Sequence, residues 1–209
     1  MNRRAVWSIG FANDGGPLIV LPRELLRYWH GSDGNPEGSP FGDDVDQPAG
    51  DDYARACDTA YPAALVKVGP GVGLVLGAHE HAYPVQWLKL PEERGIYLVG
   101  WHYGGRDSRP RLVDHLRASK PSWRRFRRRV RLTNGDLVLL HAASSGTEVR
   151  EYNPHGEDRG EGFVCIGDAI PIRLDEGRFT MESTAIGGEL GRDPFGCVVC
   201  RWRPVDVVV

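Results

Sequence analysis

At 209 residues and a formal net charge of −2, the chain is long enough for one generous domain or two small ones, and carries no bulk charge to draw it to nucleic acid or anionic lipid. Its apolar fraction of 41% and charged fraction of 26% are ordinary for a folded soluble protein, and no run approaches the ~20 apolar residues of a membrane-spanning helix. The 27 glycines and 15 prolines favour many short strands joined by turns over long helices. Two arginines near the start, Arg3 and Arg4, have no apolar segment behind them, so no export signal is expected. The four cysteines, Cys57, Cys165, Cys197 and Cys200, are then expected to be reduced thiols of a cytoplasmic protein.

In chain order, Val6–Phe11 reads as a first short strand and Asn13-Asp14-Gly15-Gly16-Pro17 as a turn. Leu18–Leu21 is apolar on both faces, which places it deep in a sheet. Pro22 opens a helix, Leu25, Leu26 and Trp29 form its buried face, and Gly31 ends it in a left-handed conformation. Residues 32–52 carry Asp33, Glu37, Asp43, Asp44, Asp46, Asp51 and Asp52 without one lysine or arginine, the composition of a solvated loop. A helical turn follows from Asp51, with Tyr53, Ala56 and Cys57 expected on one side. Strands are expected at Leu65–Val68, Leu74–Leu76 and Gly95–Trp101, and a helix at Arg109–Ser119.

From Arg117 to Arg131 the chain holds eight bases and no acid, interleaved with Trp123, Phe126 and Val130. That suits an element whose apolar side packs while its arginines fan outward, and Arg124–Arg131 is also a candidate nucleic-acid surface. Further strands are expected at Leu137–Leu140, Gly162–Ile166, Ile170–Leu174, Arg178–Ser183 and Cys197–Trp202. Three segments recur in the same order: Gly16–Leu21 with Gly135–Leu140, Gly73–Leu76 with Gly177–Thr180, and Gly95–Trp101 with Gly196–Trp202. The expected fold is therefore mostly β with a few short helices, α+β by content: two pseudo-repeated antiparallel β units sharing a core. Residues 1–106 make the first unit with an inserted helix and acidic loop, 107–131 a helix and basic connector, and 132–209 the second unit, packed as one body. Trp101 and Trp202 are expected inside the shared core.

Reactive chemistry is hard to find. There is no Gly-x-Ser-x-Gly elbow, no Walker loop and no dinucleotide-binding glycine turn. Cys197 and Cys200 have redox-pair spacing, but three residues apart on a strand they face opposite sides and read as buried small hydrophobes. His79-Glu80-His81 offers alternate histidines for a metal-dependent hydrolase, without a third ligand at a convincing distance. The remaining histidines, His30, His102, His115, His141 and His155, are scattered. No catalytic, cofactor-binding or metal-binding residue is assigned, and no cofactor is expected.

Trp29-His30-Gly31 and Tyr53-Ala54-Arg55-Ala56-Cys57 carry more information together than apart. With Gly15-Gly16-Pro17 before them and Asp52 and Arg55 around the tyrosine, they make the chain resemble the immunity protein 21 family of bacterial polymorphic toxin systems. That family is described by a Trp-x-Gly motif, here Trp29 and Gly31, a Tyr-x-x-x-Cys motif, here Tyr53 and Cys57, and a mostly β fold. The likeness is closest over about residues 7–101 and looser beyond. It implies a non-enzymatic antidote that binds a cognate toxin domain encoded nearby. Trp29 and Tyr53 read as inward-facing anchors rather than contact residues. The unpaired acids Asp43, Asp44, Asp46, Asp51 and Asp52 are candidate toxin contacts, suited to a basic cleft that otherwise holds phosphate.

Overall fold

The computed structural model describes residues 4–8, 10–11, 16–32, 51–59, 63–76, 85–119, 121–149, 169–187 and 195–205. Asp43, Asp44, Asp46, His79-Glu80-His81, His155, Cys165 and the strand expected at Gly162–Ile166 lie outside the described residues. Eleven strands are described, in two antiparallel sheets. One sheet contains β3 (Ala63–Val68), β4 (Gly71–Leu76), β2 (Leu18–Pro22), β8 (Asp136–His141) and β9 (Ala169–Arg173), in that spatial order. The other contains β1 (Val6–Trp7), β5 (Val85–Lys89), β6 (Ile96–Tyr103), β11 (Gly196–Pro204), β10 (Gly177–Ile186) and β7 (Arg124–Leu132). The basic stretch is thus an edge strand. No helix among the described residues is long and apolar enough to cross a membrane.

Alternation along the strands builds four layers. Leu18 and Val20 of β2 and Leu137 and Leu139 of β8 face Ile96, Leu98, Phe179, Met181, Val198 and Trp202 of the other sheet, forming the core between them. Ile19, Leu21, Val138 and Leu140 point the other way, under a 3-10 helix (Arg23–Tyr28) and α1 (Asp52–Cys57). That is why Leu18–Leu21 is apolar at every position. On the far side of the six-stranded sheet, Val99, Trp101, Cys197 and Val199 are covered by Leu112, Val113 and Leu116 of α2 (Arg109–Ala118). The expected helix at Arg109–Ser119 is present, with Pro110 in its first turn, where a missing N–H is harmless.

The strand order reads the same from either end about the central pairs β2/β8 and β6/β11. β1, β2, β4, β5 and β6 occupy the places mirrored by β7, β8, β9, β10 and β11, with β3 as one extra strand. This order is compatible with a duplicated five-strand unit, but it changes which segments correspond. Gly73–Leu76 lies in the five-stranded sheet and Gly177–Thr180 in the six-stranded one, so β4 occupies the place of β9 rather than β10. The two tryptophan-bearing strands do stand side by side, yet matching Trp101 to Trp202 slips them by one residue. Ile96 faces the inter-sheet core while Cys197 faces α2, and an odd slip inverts every side chain. Trp202 is therefore in the shared core, whereas Trp101, equally buried, lies in the layer beneath α2.

Two local expectations also shift. The strand expected at Val6–Phe11 is only Val6–Trp7, with Phe11 returning as an isolated bridge to Val85. In α1 the inward residues are Asp52 and Ala56, while Cys57 is exposed. A helix of six residues turns less than twice, so its buried face is narrow and Cys57 falls outside it.

Candidate functional site: the motif latch and an arginine face

The motif residues assemble on the outer side of the five-stranded sheet. Pro22 fixes φ at −53° and starts the 3-10 helix, whose end carries Trp29 back over the sheet. Trp29 is fully buried, and its Nε1–H donates to the Ala142 carbonyl at 3.0 Å. The Gly146 N–H donates to the Trp29 carbonyl at 2.7 Å, and the Ser32 N–H to the Ala143 carbonyl at 3.0 Å. The chain around Trp29 therefore clasps the loop leaving β8. Gly31 has φ +62°, and a Cβ there would run into the Ala143 carbonyl. Glycine at this point of Trp-x-Gly follows from both conformation and space.

The second motif is tied to the first through the backbone. The Tyr53 N–H donates to the Gly31 carbonyl at 3.0 Å, and the His30 N–H to the Asp52 carboxylate at 2.7 Å. Asp52 also pairs with Arg55, whose guanidinium lies 6.0 Å from the Trp29 ring centre and donates to the Lys67 carbonyl at 3.1 Å. Asp51 caps α1 by accepting from the Ala54 N–H at 2.7 Å. The Tyr53 ring stacks on His141, with centroids 6.1 Å apart, and a Cβ on Gly16 would come within 2.8 Å of both side chains. Burial, together with the neighbouring Cys57 and Asp51, raises the Tyr53 pKa and keeps the phenol protonated.

Geometry thus divides the sequence candidates. Trp29, Gly31 and Tyr53 form one connected latch, and Cys57 is its exposed end. Asp52, only 1% exposed, belongs to this latch, where its carboxylate is held by the His30 N–H and by Arg55. Asp51 is engaged as a cap at a half-buried position. Cys197 and Cys200 are buried in different layers, each with a thiol pushed up to about 12 by burial, and they act as hydrophobes. No group of three or more potential metal ligands occurs among the described residues.

The basic stretch behaves differently. β7 pairs with β10 on one side and is the last strand of its sheet. Val130 and Leu132 turn into the core, so Arg129 and Arg131 face outward, on the side that α2 occupies further along the sheet. Strand register then adds residues from β10 and β11. Arg131 lies opposite Arg178; Arg129 lies opposite Thr180, which lies opposite Arg203; Arg125 lies opposite Glu182, which lies opposite Arg201. Glu182, with a 4% exposed side chain, accepts from Arg125 at 2.9 Å and Arg201 at 2.6 Å. Arg201 also lies 4.1 Å from the centre of the Trp123 ring. Arg124–Arg131 stands out in the sequence, whereas Arg178, Arg201 and Arg203 do not. The only local signal was the alternation Arg201-Trp202-Arg203, and cross-strand register was needed to bring them together.

Among the described residues, eleven strands in two sheets carry the motif latch on one outer side and the arginine face on the other. The sequence matches the family described as immunity protein 21 over residues 11–188, and the chain belongs to that family. The match runs far past residue 101 into the second half, so the likeness is broader than the motifs alone suggested. No curated protein and no solved structure matches the chain.

Proposed function

We propose that this chain is a non-enzymatic antidote that binds and neutralises a cognate bacterial toxin domain in the cytoplasm, one molecule to one. Membership of the immunity protein 21 family over residues 11–188 carries this reading. The hydrogen-bonded, buried latch supports it, because a scaffold already ordered loses little freedom on binding. Asp43, Asp44, Asp46, Asp51 and Asp52 are the proposed acidic contacts. Co-expression with the toxin domain encoded beside this gene tests it. Growth should be rescued, and the purified proteins should form a complex of equal stoichiometry. No rescue and no complex would refute the proposal.

A second reading, a nucleic-acid-binding module, is favoured by one observation: Arg124, Arg127, Arg128, Arg129 and Arg131 are all exposed on β7. It requires a DNA or RNA mobility shift at low ionic strength that disappears steeply with salt. No such shift at low salt eliminates it.

A further inference from the structure

The outer face of the six-stranded sheet is divided. Towards β5 and β6 it is roofed by α2; towards β7 it carries Arg125, Arg129, Arg131, Arg178, Arg201 and Arg203, with the Glu182 carboxylate held between Arg125 and Arg201 and Glu93 lining the surface beside Arg201 and Arg203. Among the described residues Arg129, Arg131, Arg178 and Arg203 make no ion pair, and all four are exposed. Arg131 and Arg178 are direct cross-strand neighbours, an arrangement in which like charges repel.

Protection of a sheet edge explains arginines on β7, since charges there discourage pairing with another chain. It does not explain Arg178 and Arg203, which lie on interior strands where there is no edge to protect. The arginines therefore mark a face. From this we infer that the β7–β10–β11 face, centred on Arg129, Arg131, Arg178 and Arg203, docks an acidic surface of the cognate toxin domain. The inference rests on the antidote reading and adds a surface to it.

Protein fits this face better than nucleic acid. Single strands bind by stacking bases on open aromatic rings, yet Trp123 is stacked by Arg201 at 4.1 Å and Phe126 faces Arg124 at 5.8 Å. A long polyanion also meets the field of a chain with net charge −2, whereas a compact acidic patch meets only the local arginines. Carboxylates accept the paired N–H donors of a guanidinium, so each arginine brings geometry as well as charge.

The test uses the toxin domain encoded beside the gene and a short DNA duplex as probes, with the full chain. Replacing Arg129, Arg131, Arg178 and Arg203 together by Gln should slow association with the toxin domain about tenfold at low salt and flatten its salt dependence. The corresponding Lys variant should stay within about threefold of the parent rate, because charge is kept. Single variants Arg129→Gln and Arg203→Gln, each at an exposed side chain, answer the question should the quadruple variant not fold. Unchanged association of folded Gln variants, while the parent binds the toxin domain, overturns this inference alone. Failure of the parent to bind the toxin domain overturns the antidote reading and this inference with it. Tighter binding of the parent to the duplex than to the toxin domain assigns the face to nucleic acid and overturns the inference.

Discussion

The two outer faces of the sandwich are finished in opposite ways. On the five-stranded sheet, Ile19, Leu21, Val138 and Leu140 are sealed under Trp29, Leu25 and Ala56, and hydrogen bonds from the Trp29 indole, the His30 N–H and the Ala54 N–H tie the latch to itself and to the loop after β8. On the six-stranded sheet, α2 seals one half and leaves the other to arginines. A motif that identifies a family therefore need not be where the protein touches its partner. The latch closes a core, and closure is what a scaffold needs before it can present anything.

The contrast breaks first, and hardest, at Trp29. Trp29→Ala should lower unfolding free energy by about 4 kcal/mol through the cavity it leaves, with about 1 kcal/mol more from the orphaned Ala142 carbonyl. Chemical denaturation measures this directly. A loss below about 1 kcal/mol, within the range of an ordinary surface change, would show that the five-stranded face is not sealed by this residue. Gly31→Ala should follow, at about 2 kcal/mol or more, because a Cβ in left-handed conformation is strained and meets the Ala143 carbonyl. If Gly31→Ala and Gly31→Asn are equally stable, crowding rather than conformation dominates, since asparagine tolerates this region better.

Glu182 sharpens the comparison from the other side. Burial raises its pKa, but the hydrogen bonds from Arg201 and Arg125 outweigh this and leave it below the usual value. A depressed carboxylate pKa contributes stability that is present above the unfolded-state value and lost as pH falls through the folded-state value. The parent should therefore lose stability below about pH 4.3 in part through this group. Glu182→Gln should cost about 2 kcal/mol near neutral pH and remove that part of the acid dependence. Parallel acid-unfolding curves for parent and variant would exclude the assignment.

Much of this was legible in the sequence, and the omissions share a cause. The apolar run Leu18–Leu21, the helix around Leu112 and Leu116, and the separation of Cys197 from Cys200 all follow from periodicity within one element. What could not be read from one element needed a second. Whether Trp101 or Trp202 meets the shared core depends on strand register, and a slip of one residue reverses the answer. Asp52 reads as one more acid at the end of an acidic loop until the His30 N–H and Arg55 close around it. Arg178 and Arg203 are unremarkable in their own strands; pairing of β10 with β7 and β11 sets Arg178 opposite Arg131 and brings Arg203 into line with Arg129 across Thr180.

The smallest expected effect is the most specific. Arg178→Thr removes the cross-strand repulsion with Arg131 and substitutes a residue that suits a strand. The variant should be more stable than the parent by about 0.5 kcal/mol at low ionic strength, with the gain shrinking as salt screens the pair. Thermal unfolding at two salt concentrations measures both. A gain that persists at high salt would come from strand propensity, and the arginines would then need no electrostatic account. A gain that vanishes with salt shows that the folded chain holds like charges together against its own stability, as a face kept ready for opposite charge would.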